Sequence, residues 1–155
     1  MSELKQKIEI VKKNLNNCLL DSLEIELTHL SNNKVCGQMP VNKSTKQPFG
    51  YLHGGASVAL AETLASIGGY LNCEGIHTKV FGIEINANHI KAMKDGYVYG
   101  EAKPIHSGKS TQVWIIEIKD SEKNLICSSR CTLGVYKTAK SVSYTHLTLP
   151  TICSV

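Results

Sequence analysis

Residues 53–73, His53-Gly-Gly-Ala-Ser-Val-Ala-Leu-Ala-Glu-Thr-Leu-Ala-Ser-Ile-Gly-Gly-Tyr-Leu-Asn-Cys73, are small or apolar at nearly every position and carry a single charge, Glu62. As a helix this run extends about 30 Å. A helix apolar on every face has to be covered on every side, so the remaining chain must supply a surface that wraps it. The flanking segments read as strands. Residues 23–30 and 34–41 form a hairpin pattern around Ser31-Asn32-Asn33,. Residues 79–91, 96–106, 110–120 and 125–136 follow, punctuated at Asp95-Gly96, Ser107-Gly108 and Asp120 to Asn124,. The short turns make the last three antiparallel neighbours. Leu4, Ile8, Val11 and Leu15 space an amphipathic helix over 3–17,. The expected architecture is α+β, a long central helix buried against a curved antiparallel sheet.

A chain of 155 residues suits one domain, expected over 1–137,. The last 15 residues, Ser141 to Val155, carry no Lys, Arg, Asp or Glu and include Pro150. Residues 138–155 therefore read as a tail outside the domain, disordered or vector-derived. Six cysteines stand at 18, 36, 73, 127, 131 and 153, with no C-x-x-C pair. Reduced, partly buried thiols fit them better than a disulfide scaffold or a metal site. The net charge of +4 has no basic stripe behind it, which gives no support to nucleic-acid binding but suits an anionic small molecule. No stretch reaches membrane-spanning length, and the charged N-terminus lacks a secretory core, so the expected compartment is the cytoplasm. Neither G-x-x-x-x-G-K nor G-x-G-x-x-G occurs,.

Glu62 has Val58, Ala59, Ala65 and Ser66 as its helical neighbours. A carboxylate on such a face is either solvent-exposed or held in an apolar cleft, where loss of solvent makes it a stronger base. Small neighbours leave room for a substrate. Gly54 and Gly55 open the helix with backbone N–H groups unpaired, suited to an oxyanion, although two glycines before a helix are also ordinary turn chemistry. Gln47 and His53 flank the same loop as further hydrogen-bond donors. Together with Glu62 they make an acyl-transfer set.

The run Thr45-Lys-Gln-Pro-Phe-Gly-Tyr-Leu-His-Gly-Gly-Ala-Ser-Val-Ala-Leu-Ala-Glu62 resembles the hotdog thioesterases of the PaaI-like superfamily. It is most similar to the branch holding hydroxybenzoyl-CoA and 1,4-dihydroxy-2-naphthoyl-CoA thioesterases. The resemblance continues through Gly82-Ile-Glu-Ile-Asn-Ala-Asn-His89, Lys103-Pro-Ile-His-Ser-Gly108, Gln112-Val-Trp-Ile-Ile-Glu117 and Cys127-Ser-Ser-Arg130, covering residues 20–136. It implies a hotdog fold and thioester hydrolysis without metal or organic cofactor. It also implies a homodimer or homotetramer (a dimer of dimers) with active sites shared between subunits. By the same resemblance Glu62 is the catalytic carboxylate, as nucleophile or as base for water. Gly54 supplies the N–H that polarises the carbonyl, Gln47 and His53 orient the thioester, and Ser66 holds water. His89 falls near the acyl or pantetheine channel. The loop His106-Ser-Gly108-Lys109-Ser110 falls where coenzyme A is contacted, with Lys91 and Lys109 as phosphate ligands or plain surface lysines.

Three other readings stay open on the sequence. They are an acyl-carrier-protein thioesterase, a hotdog dehydratase or hydratase, and a non-catalytic acyl-CoA-binding module. The acyl group itself is not legible, though an aryl group is the first expectation by resemblance.

Overall fold

A computed structural model of the protein describes residues 1–137; the tail expected over 138–155 lies outside them. The element order is α1 (Glu3–Lys13), α2 (Leu19–Ser22), β1 (Glu26–Leu30), β2 (Val35–Pro40), α3 (Gly54–Asn72), β3 (Thr78–His89), β4 (Tyr97–Ser107), β5 (Thr111–Lys119) and β6 (Leu125–Lys137). All six strands join one antiparallel sheet in the order β1-β2-β4-β5-β6-β3. The sheet curves over α3. This is the hotdog fold.

Period-two burial makes the sheet. On β5, Gln112, Trp114, Ile116 and Ile118 are buried while Ile115 and Glu117 face outward,. The buried row meets α3, whose Leu60, Ala61, Leu64 and Ala65 are fully enclosed. The helix lies close because it carries glycine at the crossing. A Cβ on Gly68 would stand 2.6 Å from the Trp114 ring, and one on Gly69 would stand 2.6 Å from a Leu133 methyl.

Three expectations need correction. The first helix stops at Lys13 rather than 17, because Asn14 caps it and Asn17 turns left-handed at φ 57°,. A short helix, α2, occupies residues with no readable period, and β1 starts only at Glu26. Glu24 turns the chain there at φ 53°, and Ile25 N–H donates to the Leu20 carbonyl at 2.8 Å. Finally, α3 is not enclosed on all sides. The sheet covers one face, but Val58, Ala59, Glu62, Thr63, Ser66 and Ile67 remain half-exposed.

Helix α1 covers the far end of α3 through Lys7, which is only 1% exposed. Its ammonium donates to the carbonyls of Tyr70 (3.1 Å) and Cys73 and pairs with Glu3 at 3.2 Å. It thereby caps the last carbonyls of α3 with a cation, where the helix dipole favours one. Cys127 and Cys131 are buried on one face of β6, and the described cysteines are free thiols.

Candidate active site

The loop before α3 is held by buried Thr45. Its hydroxyl donates to the Pro40 carbonyl at 2.8 Å, and its own carbonyl accepts His53 N–H at 2.8 Å. On this frame Gln47 N–H donates to Tyr51 O at 2.8 Å, and the Gln47 side-chain oxygen accepts Phe49 N–H. With Oε1 occupied, the carboxamide of Gln47 has its NH2 left to offer as a donor.

His53 is the N-cap of α3, and its Nδ1 accepts Gly55 N–H at 2.8 Å. An accepting Nδ1 places the proton on Nε2, so the exposed edge of the ring is a donor. Of the two N–H groups expected to be open, Gly55 is therefore taken by the cap. Gly54 N–H has no acceptor among the described residues. His89, at the end of β3, lies directly against Gly54: three of its ring atoms stand within 3.2 Å of where a Cβ would be. Gln47, Gly54, Ser57, His89, Lys91 and Met93 line one cavity of about 420 Å³.

Glu62 lies two turns further along α3 and opens into a different cleft, of about 580 Å³. Its walls are Leu19 and Leu20 from α2 and Gly55, Val58, Ala59, Thr63, Ser66 and Ile67 from α3. The carboxylate has no hydrogen-bond or ion-pair partner among the described residues. Its back rests on β3, where a Cβ at Gly82 would stand 2.5 Å from Oε1. Its charge reaches Cys131. Burial pushes that thiol up to about 11, and the charges of Glu62 and Glu84 add to the effect,. The alternative of a fully solvated Glu62 does not describe this site, since the residue is half-buried on an apolar wall.

The remaining expected residues divide. Lys91 lines the Gln47 cavity, but its ammonium pairs with Asp120 at 3.1 Å. Asp120 is held down to about 2 by its hydrogen bond from the Asn124 side chain, then by Lys91 and the Asn124 backbone, against the cost of its burial,. His106 lies near the end of β4, opposite Val113 of β5, and Gly108, Lys109 and Ser110 form the β4–β5 turn, closed by Gly108 N–H to Thr111 O at 2.8 Å. Gly108 and Lys109 border a cavity of about 200 Å³ with Asn72, Cys73 and Gln112, at the C-terminal end of α3. A helix of 19 residues is about 28 Å long,, so within one chain this turn lies far from Gly54. Gly82, Asp120 and the α2 leucines were not anticipated. The one signal in the sequence was a glycine inside a strand pattern, which marks a close approach.

A hotdog sheet around a helix that bears a carboxylate with no partner among the described residues fits enzymes acting on thioesters. The sequence confirms this independently: the chain belongs to the Thioesterase superfamily, whose profile matches residues 49–127. It is a thioesterase by that membership. It is 50% identical over 113 residues to the 1,4-dihydroxy-2-naphthoyl-CoA hydrolase of Escherichia coli (strain K12), covering 73% of this chain and 82% of that protein. It is 48% identical over 122 residues to the enzyme of the same name from Listeria monocytogenes, covering 79% and 98%. The crystal structure of a thioesterase from Haemophilus influenzae superimposes with a TM-score of 0.80 at 40% identity, over 86% of this chain and 93% of that one.

Proposed function

We propose that the protein hydrolyses an acyl-coenzyme A thioester to the free acid and coenzyme A, with an aryl acyl group preferred. The observation that carries this is Glu62, a carboxylate with no partner among the described residues, facing an apolar cleft. A module that merely bound acyl-CoA would gain nothing from a bare half-buried charge, which costs free energy unless it is used. In the reaction Glu62 attacks the thioester carbonyl, or takes a proton from a water that does. The Gly54 N–H receives the developing oxyanion, and the thiolate departs toward the donors of Gln47 and His53. Ser66, one turn from Glu62, holds the hydrolytic water.

The same geometry supports a shared site. Gly54 and Glu62 are eight residues apart on one helix, which separates them by about 12 Å. That is too far for both to touch one carbonyl. A second copy supplies the missing half, so that Glu62 of one subunit faces Gln47, His53 and Gly54 of another. Strand β3 is the natural junction. It is a sheet edge beside Glu62 and exposes Phe81 (56%) and Ile83 (62%), which favours pairing with another strand. The enzyme is thus read as a homodimer or a dimer of dimers, formed by one catalytic domain over 1–137. In the assembly the turn at His106–Ser110 and Lys109 of a neighbouring subunit contacts the nucleotide end of coenzyme A. Lys91 contributes less there, being paired with Asp120.

No helix among the described residues is long and apolar enough to cross a membrane, and a coenzyme A thioester substrate supports the reading of a cytoplasmic enzyme. The test is free-thiol release from a panel of acyl-CoAs by the native protein and by Glu62→Gln. Rapid turnover of an aryl member is expected, reduced on the order of 10²–10⁴-fold in the variant. Equal turnover by folded Glu62→Gln refutes the assignment.

A further inference from the structure

The inner face of β3 presents a row of side chains to α3. Val80 reaches Gly69, Ile85 and Ala87 pack on the core, and His89 abuts Gly54. The row has one gap, Gly82, and the Glu62 carboxylate lies in it. We infer that Gly82 is a positioning residue for Glu62: by carrying no side chain it opens the seat on β3 in which the carboxylate rests. This rests on the reading of Glu62 as the catalytic group.

Three observations support the assignment. A Cβ at Gly82 would stand 2.5 Å from Glu62 Oε1, and its three nearest heavy atoms are all atoms of Glu62, at 2.5, 3.5 and 4.0 Å. Second, Gly82 is not among the residues with positive φ, so the backbone there does not require glycine. Third, the ladder with β6 shifts register between Gly82 and Glu84, so the strand is bulged at the point where the carboxylate meets it. Glycine in a strand weakens it, and bulges re-aim groups at active sites. Among the described residues, the gain this glycine brings is the position of Glu62. The carboxylate has no hydrogen bond among the described residues to hold it, so contact with the β3 backbone sets how far it projects into its cleft.

The test is Gly82→Ala in the native protein and in Glu62→Ala, each checked for melting temperature and oligomeric state. A displacement of about 1 Å at a reacting group costs about 100-fold in rate. Gly82→Ala is therefore expected to lower kcat about 100-fold with KM within about twofold, and to have no effect on residual activity when Glu62 is already alanine. Should Gly82→Ala alone fail to fold, folding restored by adding Glu62→Ala supports the clash, and continued unfolding overturns it. An unchanged kcat in Gly82→Ala, with Glu62→Ala inactive, overturns the role of Gly82 and leaves the function standing. Equal loss of stability or assembly in both backgrounds also overturns it, since the glycine then serves the strand. Full turnover by Glu62→Ala removes the catalytic reading itself.

Discussion

The imidazole of His89 fills the space that a side chain on Gly54 would need, with Nε2 standing 2.7 Å from the position of a Cβ. The end of β3 and the start of α3 are thereby fitted to each other at the bare N–H. Gly54→Ala keeps that N–H but drives the exposed ring aside, at a cost of about 0.5–1 kcal/mol,. The cost should vanish in His89→Ala, where the space is free, because touching residues couple. Urea midpoints of the four proteins check this, and equal destabilisation in both backgrounds would refute it.

His53 has two jobs that substitution separates. Its Nδ1 caps α3 and its Nε2–H faces outward. Asparagine is a good N-cap, but its NH2 sits on a shorter side chain and does not reach the position of the outward Nε2–H. His53→Asn should therefore melt near the native temperature while kcat drops on the order of 10²-fold, the cost of one oxyanion-type donor. His53→Ala should lose activity similarly and about 1 kcal/mol of stability in addition. Native activity in a stable His53→Asn would leave His53 with the cap alone.

Lys7 is buried with the carbonyls of Tyr70 and Cys73 as acceptors. Lys7→Met fills the volume but leaves those carbonyls unsatisfied, a cost of about 1–3 kcal/mol. The urea midpoint should fall accordingly, with kcat little changed because α1 lies at the end of α3 remote from Gly54. A midpoint equal to the native one would show that water replaces the ammonium at no cost.

Asp120 is held down to about 2 in the folded protein, below the unfolded value of about 4. The unfolded chain therefore takes up the proton first as pH falls. The stabilisation from Asp120 is complete above about pH 4 and is lost toward pH 2. The difference in melting temperature between the native protein and Asp120→Asn should shrink steadily across that window. A difference constant with pH would place the depression elsewhere.

Much of this was legible in the sequence. Long stretches of regular period carried the sheet and α3, because burial imposes period two on strands and clustering on helices regardless of what they pack against. The short α2 left no period, and Glu24 turns left-handed without a glycine to announce it. Full burial of α3, expected from its composition, is not met within a single chain. A helix apolar all round needs cover on every side, but the half-exposed face around Glu62 is the one a second subunit is proposed to close.

The sequence by itself determined the groups proposed to carry chemistry: a lone carboxylate in an apolar helix, two glycines at its start, and Gln47 and His53 before them. Their types and local spacing suffice for that, since capping and helix geometry act over a few residues. Only the tertiary structure decided which of them meet. It placed β3 beside β6 at the sheet edge, set Gly82 under Glu62 and His89 against Gly54, and tied Lys91 to Asp120. Those contacts join segments distant in the chain. They are fixed by which apolar faces can be buried together, a non-local quantity that no local pattern of residues records.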